Sequence, residues 1–292
     1  MQGKIIKGIA GFYYVHDGIG SVYECRARGV FRNRNIKPLV GDDVEFSVLD
    51  EKEQTGNIDR LLPSRSRLIR PAVANVDQAL VVFAMTDPQP NLNLLDRFLI
   101  VMERQHVPVI ICFSKADLGN ADGEEELRRI YEPGGYRVCF ISTNEGQGLP
   151  ELMELLDGKT TVLAGPSGVG KSSLTNYLQP EAGMEIGELS RKISRGKNTT
   201  RHSELFFVRR DTFVCDTPGF SSIYVDGIGE KELKDYFPEF SAFEDECRFL
   251  GCVHIGEREC GVKNAAARGE LAKSRYENYR LIYDELKNRR RY

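Results

Sequence analysis

The residues Gly165-Pro166-Ser167-Gly168-Val169-Gly170-Lys171-Ser172 fit the pattern G-x-x-x-x-G-K-[ST]. The chemistry of that pattern is phosphate binding. Its glycines let consecutive backbone N–H groups converge on phosphate oxygens, and a helix starting at the loop's end adds partial positive charge. Lys171 reaches the β- and γ-phosphates, the Ser172 hydroxyl ligates Mg²⁺, and Ser173 continues the same helix start. The flanks agree: 161–164 reads as a strand and 172–178 as a helix.

Three further elements each follow a strand-like run. Asp216-Thr217-Pro218-Gly219 matches D-x-x-G, with Asp216 holding Mg²⁺ through its water shell and the Gly219 N–H on the γ-phosphate. Ser114-Lys115-Ala116-Asp117 resembles the guanine-reading N-K-x-D element of GTPases, with Ser114 in place of Asn. Asp117 accepts hydrogen bonds from guanine N1–H and N2–H₂, a donor pair adenine lacks, and Lys115 lies along base and ribose. Ser142-Thr143-Asn144 stands where such proteins carry S-A-K, whose backbone touches guanine O6. Ligands bind outside the carboxyl ends of strands in open α/β sheets, and each of these elements is so placed. The order is unusual. The guanine-reading elements precede the phosphate loop, which precedes D-x-x-G, so the order is circularly permuted relative to ordinary small GTPases.

Between the phosphate loop and Asp216 lies Ser194–His202, with Gly196 and the adjacent Thr199 and Thr200. A nucleotide-sensing switch needs one Thr hydroxyl on Mg²⁺ and its N–H on the γ-phosphate. Either threonine meets that need. A second chemistry sits near the end of the chain. Cys247, Cys252, His254 and Cys260 supply three thiolates and one imidazole within 14 residues, a set suited to a closed, structural tetrahedral Zn²⁺. Their flanks are polar and no hydrophobic core is evident around them, so the metal is expected to hold a region that cannot bury enough apolar surface itself. The other cysteines, Cys25, Cys112, Cys139 and Cys215, are expected to act as small buried hydrophobes.

The elements that position these groups follow from periodicity. Residues 1–64 hold about five short segments rich in β-branched and aromatic residues, which predicts a small barrel of OB type. Residues 65–225 alternate continuous apolar strands with helical patterns, which predicts a parallel sheet covered on both faces. Residues 226–292 hold the Cys/His cluster and one long helical stretch over 262–290. The fold class is thus multidomain: barrel, permuted α/β P-loop domain, and zinc-binding helical domain.

Composition sets limits. The 292 residues carry 40 Lys+Arg against 43 Asp+Glu and are 41% hydrophobic, ordinary for a globular protein. The longest apolar runs, 79–85 and 107–113, fall short of the roughly 20 residues a membrane span needs. No secretory signal is evident, so a cytoplasmic protein without a membrane partner is expected. Nothing demands a dimer, so a monomer is expected. Charge is segregated. Residues 263–292 hold nine basic and four acidic residues, and Arg26, Arg28, Arg32, Arg34 and Lys37 form a second cluster followed by Arg65, Arg67 and Arg70. Both clusters suit the backbone of structured RNA.

The permuted order, the barrel before it and the Cys/His cluster after it resemble the RsgA (YjeQ/YloQ) family of bacterial ribosome-assembly GTPases over essentially the whole chain. The resemblance implies a GTPase that binds the 30S ribosomal subunit and its 16S rRNA and acts late in its maturation. It implies GTP hydrolysis to GDP and phosphate with ribosome stimulation, and GTP/GDP, Mg²⁺ and one Zn²⁺ per chain. The family register favours Thr200 as the Mg²⁺ ligand beside Ser172 and Asp216. The family's pattern there resembles G-x-H-T-T, and this sequence has Asn198 at the His position and Phe220 where many GTPases carry Gln. Asn198 hydrogen-bonds water but takes no proton at neutral pH. Lys171, Thr200 and Asn198 are therefore the expected catalytic set, with weak intrinsic hydrolysis. Because D-x-x-G leads straight into residues 226–292, nucleotide state is expected to move that region. The alternatives are a GTP-controlled switch on another structured RNA, with hydrolysis incidental; an ATP-using P-loop enzyme, opposed by Asp117; and a zinc-stabilised interaction protein with a degenerate nucleotide site, opposed by Lys171, Ser172 and Asp216.

Overall fold

The computed structural model describes residues 1–29, 31, 36–69, 71–180, 203–216, 223 and 225–289. Thr199, Thr200, Asn198 and Gly219 lie outside the described residues. Strands β1 (Gln2–Ile9), β2 (Phe12–His16), β3 (Val22–Ala27), β4 (Asp43–Asp50) and β5 (Thr55–Leu61) close into a barrel in the order β1-β2-β3-β5-β4. Alternation sets the interior: Tyr23 and Cys25 of β3 point in, while Glu24 and Arg26 between and beyond them point out. Ile5, Val15, Val44, Phe46 and Ile58 complete the barrel core. Closure leaves no free edge.

The next elements are β6 (Gln78–Ala84), α1 (Leu92–Arg104), β7 (Val109–Ser114), α2 (Ala121–Tyr131), β8 (Arg137–Phe140), α3 (Leu149–Leu156), β9 (Thr160–Ala164), α4 (Lys171–Leu178), β10 (Glu204–Arg209) and β11 (Thr212–Asp216). The six strands form a sheet in the order β10-β11-β9-β6-β7-β8. β6 and β9 are buried along their whole length, as strands covered on both faces must be. β7–β8 and β9–β11 are parallel, as expected. β10 was not anticipated; it pairs antiparallel with β11, so the sheet is mixed. Its run, Glu-Leu-Phe-Phe-Val-Arg, is short and half-buried.

The chain ends in α5 (Ser241–Glu244), α6 (Gly261–Arg268) and α7 (Lys273–Arg289). The single long helix expected over 262–290 is therefore two. Gly269 caps α6 with a φ of 77°, a left-handed conformation that suits glycine and ends the helix. The region also has the core that its sequence did not reveal. Phe237, Phe240, Val262, Leu271, Tyr279, Ile282 and Leu286 are buried together with Cys252 and Cys260.

By contacts the described residues fall into two compact units. One holds those of Met1–Leu80, Leu149–Ala164 and Gly170–Gly219; the other holds those of Val81–Gly148, Gly165–Val169 and Phe220–Tyr292. No helix among the described residues is long and apolar enough to cross a membrane.

Candidate guanine-nucleotide and metal sites

In the unit with α1, β7 and β8, the elements expected to read guanine are stitched together by the backbone. The Ala116 N–H donates to Ile141 O at 3.0 Å and the Ile141 N–H to Phe113 O at 2.9 Å. Ser142 is fully buried, and its Oγ accepts from the Glu145 N–H at 3.1 Å. Lys115 has a φ of 54°, rare for a non-glycine residue, and its Nζ donates to Asp87 O. The Ser114 hydroxyl lies 2.5 Å from Val169 O and 3.2 Å from Phe83 O. It donates to the nearer carbonyl and so ties the end of β7 to the phosphate loop. The sequence did not disclose that role for Ser114. Asp117 Oδ1 is buried without a hydrogen-bond partner. A buried acceptor left unmade costs roughly 1–3 kcal/mol, so it fits a ligand donor, as guanine N1–H supplies.

The first part of the phosphate loop belongs to this unit. Gly165 has a φ of 139°, and a Cβ there would stand 2.1 Å from Val82 O, so only glycine fits. Val169 is buried. The peptide after Val169 leads into the other unit, where Gly170, with a φ of 87°, is the N-cap of α4. Lys171, Ser172 and Ser173 are the first turn of that helix. In the same unit, β11 and β9 run parallel in a register that sets Asp216 beside Leu163, at the strand ends. A hydroxyl and a carboxylate are the hard oxygen donors Mg²⁺ takes.

The four predicted metal ligands converge. Their ligand atoms all lie within 4.8 Å of one another. Cys247 Sγ is 3.8 Å from Cys260 Sγ, and His254 Nδ1 is 3.3 Å from Cys260 Sγ and 3.7 Å from Cys247 Sγ. Thiolates about 2.3 Å from a tetrahedral zinc stand about 3.8 Å apart, so the cluster is compatible with one zinc. His254 Nε2 lies 3.0 Å from Glu244 Oε1, and Lys234 Nζ donates to the same oxygen at 2.8 Å. With its proton on Nε2 toward Glu244, the imidazole offers Nδ1 to the cluster. Burial pushes the Cys252 thiol up to about 12, and a bound cation would favour its thiolate. Glu244 was visible in the sequence only as one of several acidic flanks.

The basic tail is less free than its charge count suggests. Arg275, on α7, is fully buried: its Nη1 donates to Asp96 Oδ1 at 2.6 Å, its Nε to Glu239 Oε1 at 2.6 Å and its Nη2 to Glu239 Oε2 at 3.2 Å. Burial works against its charge, but Asp96 and Glu239 more than offset that and raise its pKa. Asp96, on α1, also accepts from Tyr131 OH at 3.1 Å and Asn278 Nδ2 at 2.7 Å. Arg289 pairs with Asp226 and Glu285, and Arg268 with Glu246 and Glu270. In the barrel cluster, Arg28 pairs with Asp59, and Arg32, Arg34 and Arg70 lie outside the described residues.

A family model described as RsgA GTPase matches residues 61–226, and one described as RsgA N-terminal domain matches residues 2–58. A protein of Agathobacter rectalis named small ribosomal subunit biogenesis GTPase RsgA is 54% identical, with each chain covered in full. One of the same name from Alkaliphilus metalliredigens is 52% identical over 100% of this chain and 99% of that protein. Among solved structures, YloQ, described as a circularly permuted GTPase, is 38% identical with a TM-score of 0.77, covering 99% of this chain and 95% of its own. YjeQ from Thermotoga maritima is 36% identical with a TM-score of 0.79, covering 98% of each chain.

Proposed function

The chain belongs to the RsgA family of GTPases, and from that membership we propose that it binds the 30S ribosomal subunit and acts in its late maturation, hydrolysing GTP to GDP and phosphate with stimulation by the subunit. The buried, unpartnered Asp117 Oδ1 is the observation that carries the guanine preference. The names of the full-length relatives support the subunit as partner. The barrel (1–64) and residues 226–292 both contact 16S rRNA, and residues 65–225 form the GTPase domain. The protein works as a cytoplasmic monomer with GTP or GDP, Mg²⁺ and one Zn²⁺.

Each residue has a stated task. Asp117 reads guanine, Lys115 covers the ribose side, and the backbone at Ser142 approaches O6. The N–H groups of 165–170 and the Lys171 ammonium hold the β- and γ-phosphates and stabilise charge that grows there during transfer. Ser172, Thr200 and Asp216 hold Mg²⁺, which neutralises phosphate charge when bound. Thr199 and Gly219 report the γ-phosphate, and Asn198 orients water without taking its proton. Hydrolysis in the absence of the ribosome is therefore slow.

The test is GTP turnover by the full chain alone, with 30S subunits and with 50S subunits, with ATP as control. The expected result is stimulation by 30S only and no ATP turnover. Equal turnover with and without 30S refutes ribosome stimulation. Nucleotide-dependent 30S binding without stimulation points to a protein held in its GTP-bound grip on the subunit, with Asn198 the first residue to revert.

A further inference from the structure

The barrel is seated on the hairpin that carries Asp216. The β2 residue His16 is 3% exposed. Its ring stacks on Phe207 of β10, with centroids 4.2 Å apart and planes at 27°, and meets Phe213 of β11 edge-on at 5.7 Å. Phe207 and Phe213 are cross-strand partners and touch each other at 5.5 Å. Two lysines of β1 flank this seat. Lys4 Nζ lies 5.7 Å over the Phe213 ring, and Lys7 Nζ bonds Glu204 Oε1 at 2.9 Å. Glu204 is the register partner of Asp216. All these residues lie in one compact unit. The other side of the imidazole faces the β2–β3 turn, where its Nδ1 accepts from the Gly18 N–H at 3.0 Å. The neighbouring Asp17 Oδ1 accepts from the N–H groups of Ile19, Gly20 and Ser21.

A hydrophilic ring buried between two phenylalanines needs a purpose. The barrel interior does not use it: Val15 of β2 points into the barrel core, and by strand alternation its neighbour His16 points out. The ring's stacked face goes wholly to the hairpin, and among the described residues β10 is hydrogen-bonded within its sheet to β11 alone. An edge strand without a second neighbour is the one that needs an external brace. The geometry points to His16 as a positioning residue for GTP hydrolysis: its ring, with the Lys7–Glu204 pair, fixes the β10–β11 hairpin and thereby the strand end from which Asp216 serves Mg²⁺. This rests on Asp216 being the Mg²⁺-side aspartate, as proposed above. Misplacing a reacting assembly by about 1 Å costs on the order of a hundredfold in rate, so a loosened brace is readable.

The experiment uses the full chain with four substitutions. His16→Gln keeps an acceptor for Gly18 but loses the ring. His16→Phe keeps the ring and loses the acceptor. Lys7→Met breaks the half-exposed ion pair, and Asp216→Asn is the reference. Two quantities are read: kcat for GTP, and the Mg²⁺ concentration giving half-maximal binding of a fluorescent non-hydrolysable GTP analogue. For His16→Gln, kcat falls about tenfold and the Mg²⁺ requirement rises about fivefold, while analogue binding without Mg²⁺ is unchanged. His16→Phe stays within about twofold of the parent, and Lys7→Met shows a smaller shift of the same kind. A merely structural role for His16 lowers the melting temperature without moving the Mg²⁺ requirement. If His16→Gln does not fold, Lys7→Met decides alone. Normal Mg²⁺ dependence in His16→Gln and Lys7→Met, with Asp216→Asn impaired, overturns the brace. Normal Mg²⁺ dependence in Asp216→Asn overturns the assignment of Asp216, and the brace with it.

Discussion

Replacing Arg275 by Met is the sharpest perturbation available. The substitution keeps much of the volume and removes a guanidinium that serves two buried carboxylates, Asp96 and Glu239. Stripping one partner from a buried ion pair costs about 3–5 kcal/mol, because the remaining charge is left uncompensated. Asp96 keeps its bonds from Tyr131 and Asn278, which places the loss nearer the low end, about 3 kcal/mol. Whole proteins of this kind have about 5–15 kcal/mol in total, so the effect is a large fraction. Urea unfolding of the zinc-loaded chain, followed by circular dichroism, measures it. The pH dependence has a definite sign. Burial already holds the Asp96 carboxyl above its usual range, with Arg275 the largest influence pulling it down. Without Arg275 the folded state prefers the protonated acid. The penalty is then full at neutral pH and shrinks as pH falls toward the ordinary carboxylate range. Adding Asp96→Asn and Glu239→Gln to Arg275→Met restores most of the loss. A single variant within about 1 kcal/mol of the parent, or a penalty equal at pH 7 and pH 5, refutes this account.

Three other outcomes are expected. Glu244→Ala leaves the His254 Nε2–H without its carboxylate and lowers zinc affinity about 10- to 100-fold, read by competition with a chromophoric chelator; unchanged affinity removes Glu244 from the site. Asp117→Asn puts a donor against guanine N1–H and weakens GTP binding by about 2–3 kcal/mol, roughly 30- to 150-fold, while xanthosine triphosphate binding improves. Fluorescent-nucleotide titration decides, and retained GTP preference excludes Asp117 as the base reader. Asn198→His supplies a side chain that accepts a proton near neutral pH and raises 30S-stimulated turnover; no change removes position 198 from the chemistry.

Much of this molecule was legible from residue order. The barrel strands, α1 and α3 fall where periodicity placed them, and the four metal ligands come together as their spacing implied. What stayed hidden depends on distant partners. Arg275 counts as basic surface in sequence because its carboxylates stand 179 and 36 residues away. The C-terminal core escaped notice because its helix face is built from Tyr279, Ile282, Tyr283 and Leu286 amid charged residues, so its mean hydropathy is low. β10 is too short and too flanked by charge to stand out. Ser114 looked like a weakened Asn, yet its short hydroxyl is what reaches Val169 O. The expected movement of residues 226–292 also acquires a constraint. Ile100 of α1 shares their core and Asp96 holds α7, so any such movement carries α1 with it.

The strand order also bears on how the chain is made. β6, buried along all seven residues, lies between β9 and β7 in the sheet. During synthesis β7 emerges soon after it, but β9 follows only some 75 residues later, about 4–15 s at roughly 5–20 residues per second. For that interval a strand with six apolar residues out of seven has one side without its final neighbour, the kind of edge that recruits other chains. The rearranged order of nucleotide-binding elements thus sets a vulnerable window in biosynthesis. Translational pausing between residues 85 and 160 would lengthen that exposure.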